Sequence, residues 1–322
     1  MMVFSGPFAS LIEGFIDLKR STGFKYIKEA AYLQQFGNFC VSEGITEPVL
    51  TKKLADEWCE KFPHEKGRND TQQRITCLRQ FALYLISLGY NAYIPVNQAH
   101  IRQRKSEFSV YVFTHSEMET IFEQSNHIYP NRRSTMHLVL PVLIRLLYSS
   151  GLRIMEALNL QLKHVDFSER IIQITNAKFD KDRHLPLSDS MWASLQEYCA
   201  VMHPRHYTED YLFVGISRAQ LTHHCIYLRF RELLVMAGIP HAGRGSGPRV
   251  HDIRHTFCCH TLQKAIQAGS DLTNMLPLLC EYLGHESLTA TSRYLRMTAE
   301  VYPSIQEAVE RLCAHVIPRV ER

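Results

Sequence analysis

Apolar positions recur at helical spacing through residues 8–90. Phe8, Leu11, Ile12, Phe15, Ile16 and Leu18 mark a first helix. A second spans Ile27–Val41, with Ala31, Leu33, Phe36 and Phe39, and stops at Gly44. Thr51–Lys61 reads as a third. Thr71–Leu88, with Ile75, Leu78, Phe81, Ala82 and Leu85 on one face and Gly89 beyond it, reads as a fourth. Four helices of this size predict a small all-helical domain. Asn91–Val110 has little periodicity and carries Pro95, Arg102, Arg104 and Lys105. It reads as a linker whose cations are either a solvated tether or a track for a phosphate backbone.

The pattern then resumes. Thr114-His-Ser-Glu117 predicts a capping box ahead of Met118, Ile121 and Phe122. Met136–Ser150 is almost wholly apolar, which predicts a buried central helix bent at Pro141. Leu152–Leu160 reads as a short helix. The period changes to two over Val165–Phe167, Arg170–Ile174 and Arg183–Leu187, which predicts three short strands, with a polar turn over 175–182. Helical spacing returns over 189–202, 220–237, 250–267, 272–282, 287–296 and 302–315. The fold class is therefore mainly α with a small antiparallel β-sheet. It divides into a helical domain over 1–107, with the basic linker at its end, and a mixed α/β domain over 108–322 that finishes in a tail helix.

Composition narrows the classes. A chain of 322 residues suits two domains. The longest apolar run, Leu138–Tyr148, contains Pro141 and Arg145 and is too short to span a bilayer. Residues 1–8 show no basic segment followed by an apolar core, so the expected location is the cytoplasm. The nine cysteines are scattered without a Cys-x-x-Cys pair, which favours reduced thiols over a zinc ribbon or a disulfide framework. A net charge of +4 permits a nucleic-acid partner without requiring one.

The candidate chemistry lies in order along the second domain. Gly151-Leu-Arg153-Ile-Met-Glu156 is followed by Lys178 in the polar turn, then His251-Asp-Ile-Arg254, Leu283-Gly-His285 and Tyr294. Two guanidinium groups, an ammonium, two imidazoles and a phenol can hold a phosphodiester, attack its phosphorus and manage protons without a metal. Arg153 and Glu156 are three apart on a helix and share a face, as do His251 and Arg254. A guanidinium bonds two phosphate oxygens at once, and two of them on one phosphate stabilise a pentacoordinate transition state. Glu156 is a poor phosphate ligand and reads as a supporting residue that orients Arg153 or anchors its helix. A phenol of pKa about 10 needs a base or nearby positive charge to attack.

These residues, in this order, resemble the phage-integrase family of tyrosine recombinases. The resemblance covers most of residues 110–315. It rests on Ser150-Gly-Leu-Arg153-Ile-Met-Glu-Ala-Leu, Lys178 before Arg183-His-Leu-Pro-Leu, His251-Asp-Ile-Arg254-His-Thr-Phe, Leu283-Gly-His285-Glu-Ser and the nine-residue step to Tyr294. His-x-x-Arg alone occurs in many chains; the ordered set carries the likeness. It implies a site-specific recombinase with Tyr294 as nucleophile, forming a 3′-phosphotyrosine and a free 5′-hydroxyl. Arg153 and Arg254 would clamp the non-bridging oxygens. Lys178 would protonate the departing 5′-oxygen. His251 would act as general base or phosphate donor, and His285 would hydrogen-bond the phosphate. The family often sets its lysine in Gly-Lys-Gly; here the turn is Asn176-Ala-Lys178-Phe-Asp-Lys181, and Lys181 is the rival.

The resemblance further implies a core-binding role for the helical domain, duplex DNA with a specific site as partner, a tetramer on DNA, and no cofactor. Accessory recombination proteins are possible partners, and a mobile element is the expected source. The tail helix would dock on a neighbouring protomer or pack in cis. Two rival classes are a DNA-binding accessory protein without catalysis and a type IB topoisomerase-like enzyme. The complete residue set argues against the first, and the sequence around His285 against the second. Other histidines have plainer readings. His255 and Cys259 continue the face of His251, where a helix burying Thr256-Phe-Cys-Cys is favoured over a metal stripe. His203, His206, His223 and His224 read as surface residues. Gly243-Arg-Gly-Ser-Gly247 lacks the Lys-Ser/Thr of a phosphate loop and reads as a connector.

Overall fold

Aromatic side chains organise the N-terminal helices. In a computed structural model of the chain, which describes residues 3–60, 68–96, 110–175, 182–205, 207–241, 247–284 and 288–301, there are two compact units, Met1–Glu107 and Phe108–Arg322. The first contains α1 (Ala9–Ser21), α2 (Ile27–Ser42), α3 (Lys52–Glu60) and α4 (Arg68–Ser87). Phe8, Phe15, Phe36, Trp58 and Phe81 meet in its core, with Phe8 5.4 Å and Trp58 5.5 Å from the Phe36 ring. Each large apolar side chain buried this way contributes about 1.5–3 kcal/mol. Arg74 is also buried, its guanidinium over the rings of Tyr32 and Trp58 at 5.4 and 5.8 Å. Arg102, Arg104 and Lys105 of the expected linker lie outside the described residues.

The second unit is built on one apolar helix. After α5 (His115–Asn126), which starts at a capping box between Thr114 and Glu117, α6 runs over Met136–Ser150 without interruption at Pro141. Val139, Leu140, Leu143, Ile144, Leu146 and Leu147 are buried along it. Gly151 ends α6 in the left-handed region at φ 61°. A Cβ there would lie 2.4 Å from Phe257 Cδ1, so both the backbone and the neighbouring helix demand glycine. A short helix, α7 (Ile154–Leu158), follows.

Next comes an antiparallel sheet in the order β1 (Val165–Asp166), β2 (Ile171–Ile174), β3 (Arg183–Pro186). Ile172 pairs with Leu185 and Ile174 with Arg183. Directly opposed residues share a face, so Arg183 joins Ile172, Ile174 and Leu185 on the buried side. The remaining helices are α8 (Asp189–Met202), α9 (His223–Met236), α10 (Val250–Gln267), α11 (Leu272–Leu283) and α12 (Leu288–Val301).

Three sequence expectations change. α9 starts three residues later than the periodicity suggests, because the Thr222 hydroxyl accepts from the Cys225 N–H and fixes the start. α12 continues past 296 to Val301. Thr298 looks polar in sequence but is fully buried, its hydroxyl donating 2.7 Å to the Tyr294 carbonyl one turn back. His203 is not a surface residue: it is fully buried, with Nε2 2.8 Å from the Leu212 carbonyl and Nδ1 3.1 Å from Arg218. His223 and His224 are exposed. His206, the centre of the Gly243–Gly247 connector and the expected helix over 302–315 lie outside the described residues.

Candidate active site

Helix ends and one carboxylate assemble three guanidinium groups. Arg153 precedes the first turn of α7, and Glu156 sits three residues later. The Glu156 carboxylate accepts from the Arg153 backbone N–H at 2.9 Å and from Arg153 Nη1 at 2.7 Å. It also accepts from Arg183 Nη2 at 2.8 Å, and Arg254 Nη1 lies 3.9 Å away. Its side chain is only 10% exposed. Burial alone would raise the Glu156 carboxyl, but Arg183 and then Arg153 outweigh it and hold it below the usual carboxylate range.

Arg254 is 2% exposed on α10. Nη1 donates 2.7 Å to the Gly151 carbonyl and Nη2 donates 2.8 Å to the Leu283 carbonyl. These carbonyls lie at the C-terminal ends of α6 and α11, where backbone oxygens lack helical partners and carry the negative end of the dipole. A permanently charged side chain is thereby fixed in a buried place. Arg153 Nη2 also reaches a chain reversal, 3.4 Å from the Gly284 carbonyl. The side chain of Arg153 is 29% exposed, the most open of the three.

Imidazoles line the adjoining face of α10, and the Tyr294 phenol meets one of them from α12. His251 is exposed. Partial burial, then the guanidinium groups of Arg254, Arg249 and Arg153, push it down to about 4. It is therefore neutral at pH 7 and a weaker base than a free imidazole. The His255 ring packs edge-on against His251 with centroids 4.8 Å apart. His255 Nδ1 is 3.0 Å from the Tyr294 hydroxyl, which donates to it when the imidazole proton is on Nε2. Burial, then His251 and three arginines, pushes His255 down to about 3. Tyr294 is 5% exposed. Burial, then neighbouring Cys258, raises its phenol above the ordinary tyrosine range, and Arg254 opposes this. Cys258 is itself pushed up to about 12 by burial, so it is a neutral thiol.

The structure thus brings Arg153, Glu156, Arg254 and His251 together, with Tyr294 reached through His255. Lys178, its rival Lys181, and His285 lie outside the described residues. Two neighbours were not selected from sequence. Arg183 carried a signal: it alternates in phase with Leu185 and Leu187, so a charge falls on an apolar face and needs a buried anion. His255 carried none beyond its helical step from His251. Among the described residues no group of three or more His, Cys, Asp or Glu could hold a metal ion, and the His255–Cys259 stripe is core packing plus the phenol contact. No described helix is long and apolar enough to cross a membrane.

The chain belongs to the phage integrase family of tyrosine recombinases, whose family model matches residues 111–300. A tyrosine recombinase of Pseudothermotoga lettingae is 28% identical over 271 residues, covering 82% of this chain and 84% of that protein. Among solved structures, the fold is similar to an integrase of the Tn1549 transposon in complex with a circular intermediate DNA. The TM-score is 0.63 at 17% identity, over 94% of this chain and 99% of that one. It is also similar to the XerH site-specific recombinase bound to a palindromic difH substrate in a post-cleavage complex. There the TM-score is 0.61 at 19% identity, over 94% and 84% of the two chains.

Proposed function

We propose that this chain is a site-specific DNA recombinase that cuts and rejoins strands through a 3′-phosphotyrosyl intermediate, serving the integration, excision or transposition of a mobile element. The observation that carries the reading is the convergence of Arg153 and Arg254 on one carboxylate, 2.7 and 3.9 Å away, beside the His251–His255–Tyr294 series. The two guanidinium groups clamp the non-bridging oxygens of the scissile phosphate. Glu156 holds Arg153 in register and does not touch the phosphate. The Tyr294 oxygen attacks phosphorus, the bond to the 5′-oxygen breaks, and Lys178 supplies the proton to the leaving oxygen. His251 acts as proton acceptor or as a hydrogen-bond donor to the phosphate, and His285 donates a hydrogen bond to the phosphate.

In this reading the helical unit over 1–107 is a core-binding domain for duplex DNA and the unit over 108–322 is catalytic. Binding draws mainly on phosphate contacts and weakens steeply with salt. The chain acts in the cytoplasm as a tetramer on paired sites, with or without accessory recombination proteins. The test uses nicked duplexes that lose the short 5′-hydroxyl strand after cleavage, drawn from DNA flanking the gene, without metal or ATP. Covalent adducts with wild type and none with Tyr294→Phe support the reading. DNA binding without adducts turns it towards a non-catalytic accessory protein.

A further inference from the structure

We infer that His255, rather than His251, is the group that takes the phenolic proton when Tyr294 attacks. The inference rests on the proposed strand-transfer reading and names a further catalytic residue within it. Its basis is geometric. His255 Nδ1 lies 3.0 Å from the Tyr294 oxygen, within direct proton-transfer reach. The His251 ring packs edge-on against the His255 ring, with centroids 4.8 Å apart.

The step balances without a co-reactant. The Tyr294 O–H bond breaks and its proton goes to Nδ1 of neutral His255. The oxygen lone pair forms the bond to phosphorus, and the phosphorus–5′-oxygen bond breaks. The leaving oxygen takes its proton from the ammonium proposed at Lys178. On religation the His255 imidazolium returns its proton to the phenol.

The surroundings suit the role. His255 feels His251 and Arg254 of its own helix, Arg249 at that helix's N-cap, and Arg293 and Tyr294 of α12. Burial and these cations keep the free imidazole neutral but also weaken it as a base, so the direct contact of its Nδ1 with the phenol, and not its resting basicity, carries the role. A phosphodiester seated on Arg153 and Arg254 adds a negative charge that offsets them, which raises the basicity of His255 when substrate is bound. Cys258, also beside Tyr294, is a neutral thiol and is the weaker acceptor.

The test is single-turnover adduct formation on the nicked duplex between pH 6 and 9, with DNA affinity measured in parallel. His255→Ala and His255→Gln are compared with His251→Ala and wild type. The glutamine keeps bulk and a hydrogen-bond acceptor but cannot take the proton, so it reports even if alanine disturbs folding. The expected result is a loss of about 10²- to 10⁴-fold at pH 7 in the His255 variants with DNA affinity retained. Their rates should climb close to tenfold per pH unit, because only the ionised phenol then reacts, while His251→Ala loses rate without acquiring that steep slope. Wild-type rates and profile in His255→Gln, or the steep profile in His251→Ala alone, overturn the inference. Absence of adducts from wild type itself defeats the strand-transfer reading, and this inference with it.

Discussion

Replacing Glu156 with alanine should be the most damaging single change in the guanidinium cluster. The carboxylate is nine-tenths buried and accepts two charged hydrogen bonds, from Arg153 at 2.7 Å and Arg183 at 2.8 Å, with Arg254 3.9 Å away. Charge-assisted bonds contribute about 1.5–3 kcal/mol each. Breaking a buried pair from one side costs about 3–5 kcal/mol, because the remaining charge is left uncompensated. Here three cations lose one anion, so Glu156→Ala should lower stability by about 3–5 kcal/mol in urea unfolding. The double variant Glu156→Ala/Arg183→Met should be more stable than Glu156→Ala alone, since it also removes a buried cation. A loss under about 1 kcal/mol, or a double variant that shows the sum of both single losses, would refute the reasoning.

Further expectations concern the same site and its supports. Arg254→Ala should slow adduct formation by at least about 10²-fold with DNA still bound, read by single-turnover capture. Gly151→Ala should cost about 2 kcal/mol or more in thermal or urea unfolding, because φ 61° is strained for alanine and its Cβ meets Phe257 at 2.4 Å. His260 is 7% exposed and is held down at about 4, first by burial and then by His115. The unfolded imidazole binds its proton near 6.5, so this stabilisation is complete above about pH 6.5 and is lost as pH falls towards 4. His255, held at about 3, adds to the loss over the same window. The midpoint of thermal unfolding should therefore fall between pH 7.5 and pH 5; an unchanged or higher midpoint would contradict the buried neutral histidines.

Much of the site was legible because its residues sit in local patterns. Arg153 and Glu156 are three apart, and Gly151 announces the helix end whose carbonyl receives Arg254. The alternation of Ile172, Ile174 and Leu185 made the strands readable. What escaped depends on partners distant in sequence. The contact of His255 is with Tyr294, 39 residues on, and only the packing of α12 against α10 creates it. His203 reads as a surface residue until the Leu212 carbonyl and Arg218 provide for both ring nitrogens. In each case a polar side chain is buried because tertiary structure supplies its hydrogen bonds, which spacing along the chain does not encode.

The central claim is that Tyr294 becomes covalently joined to DNA. The direct measurement is mass spectrometry of the trapped adduct after proteolysis and nuclease trimming. The account predicts a peptide containing Tyr294 with a nucleotide linked through its 3′-phosphate to the phenolic oxygen. Attachment at another residue, a 5′ linkage, or no protein-linked nucleotide on a duplex that the protein binds specifically would contradict it.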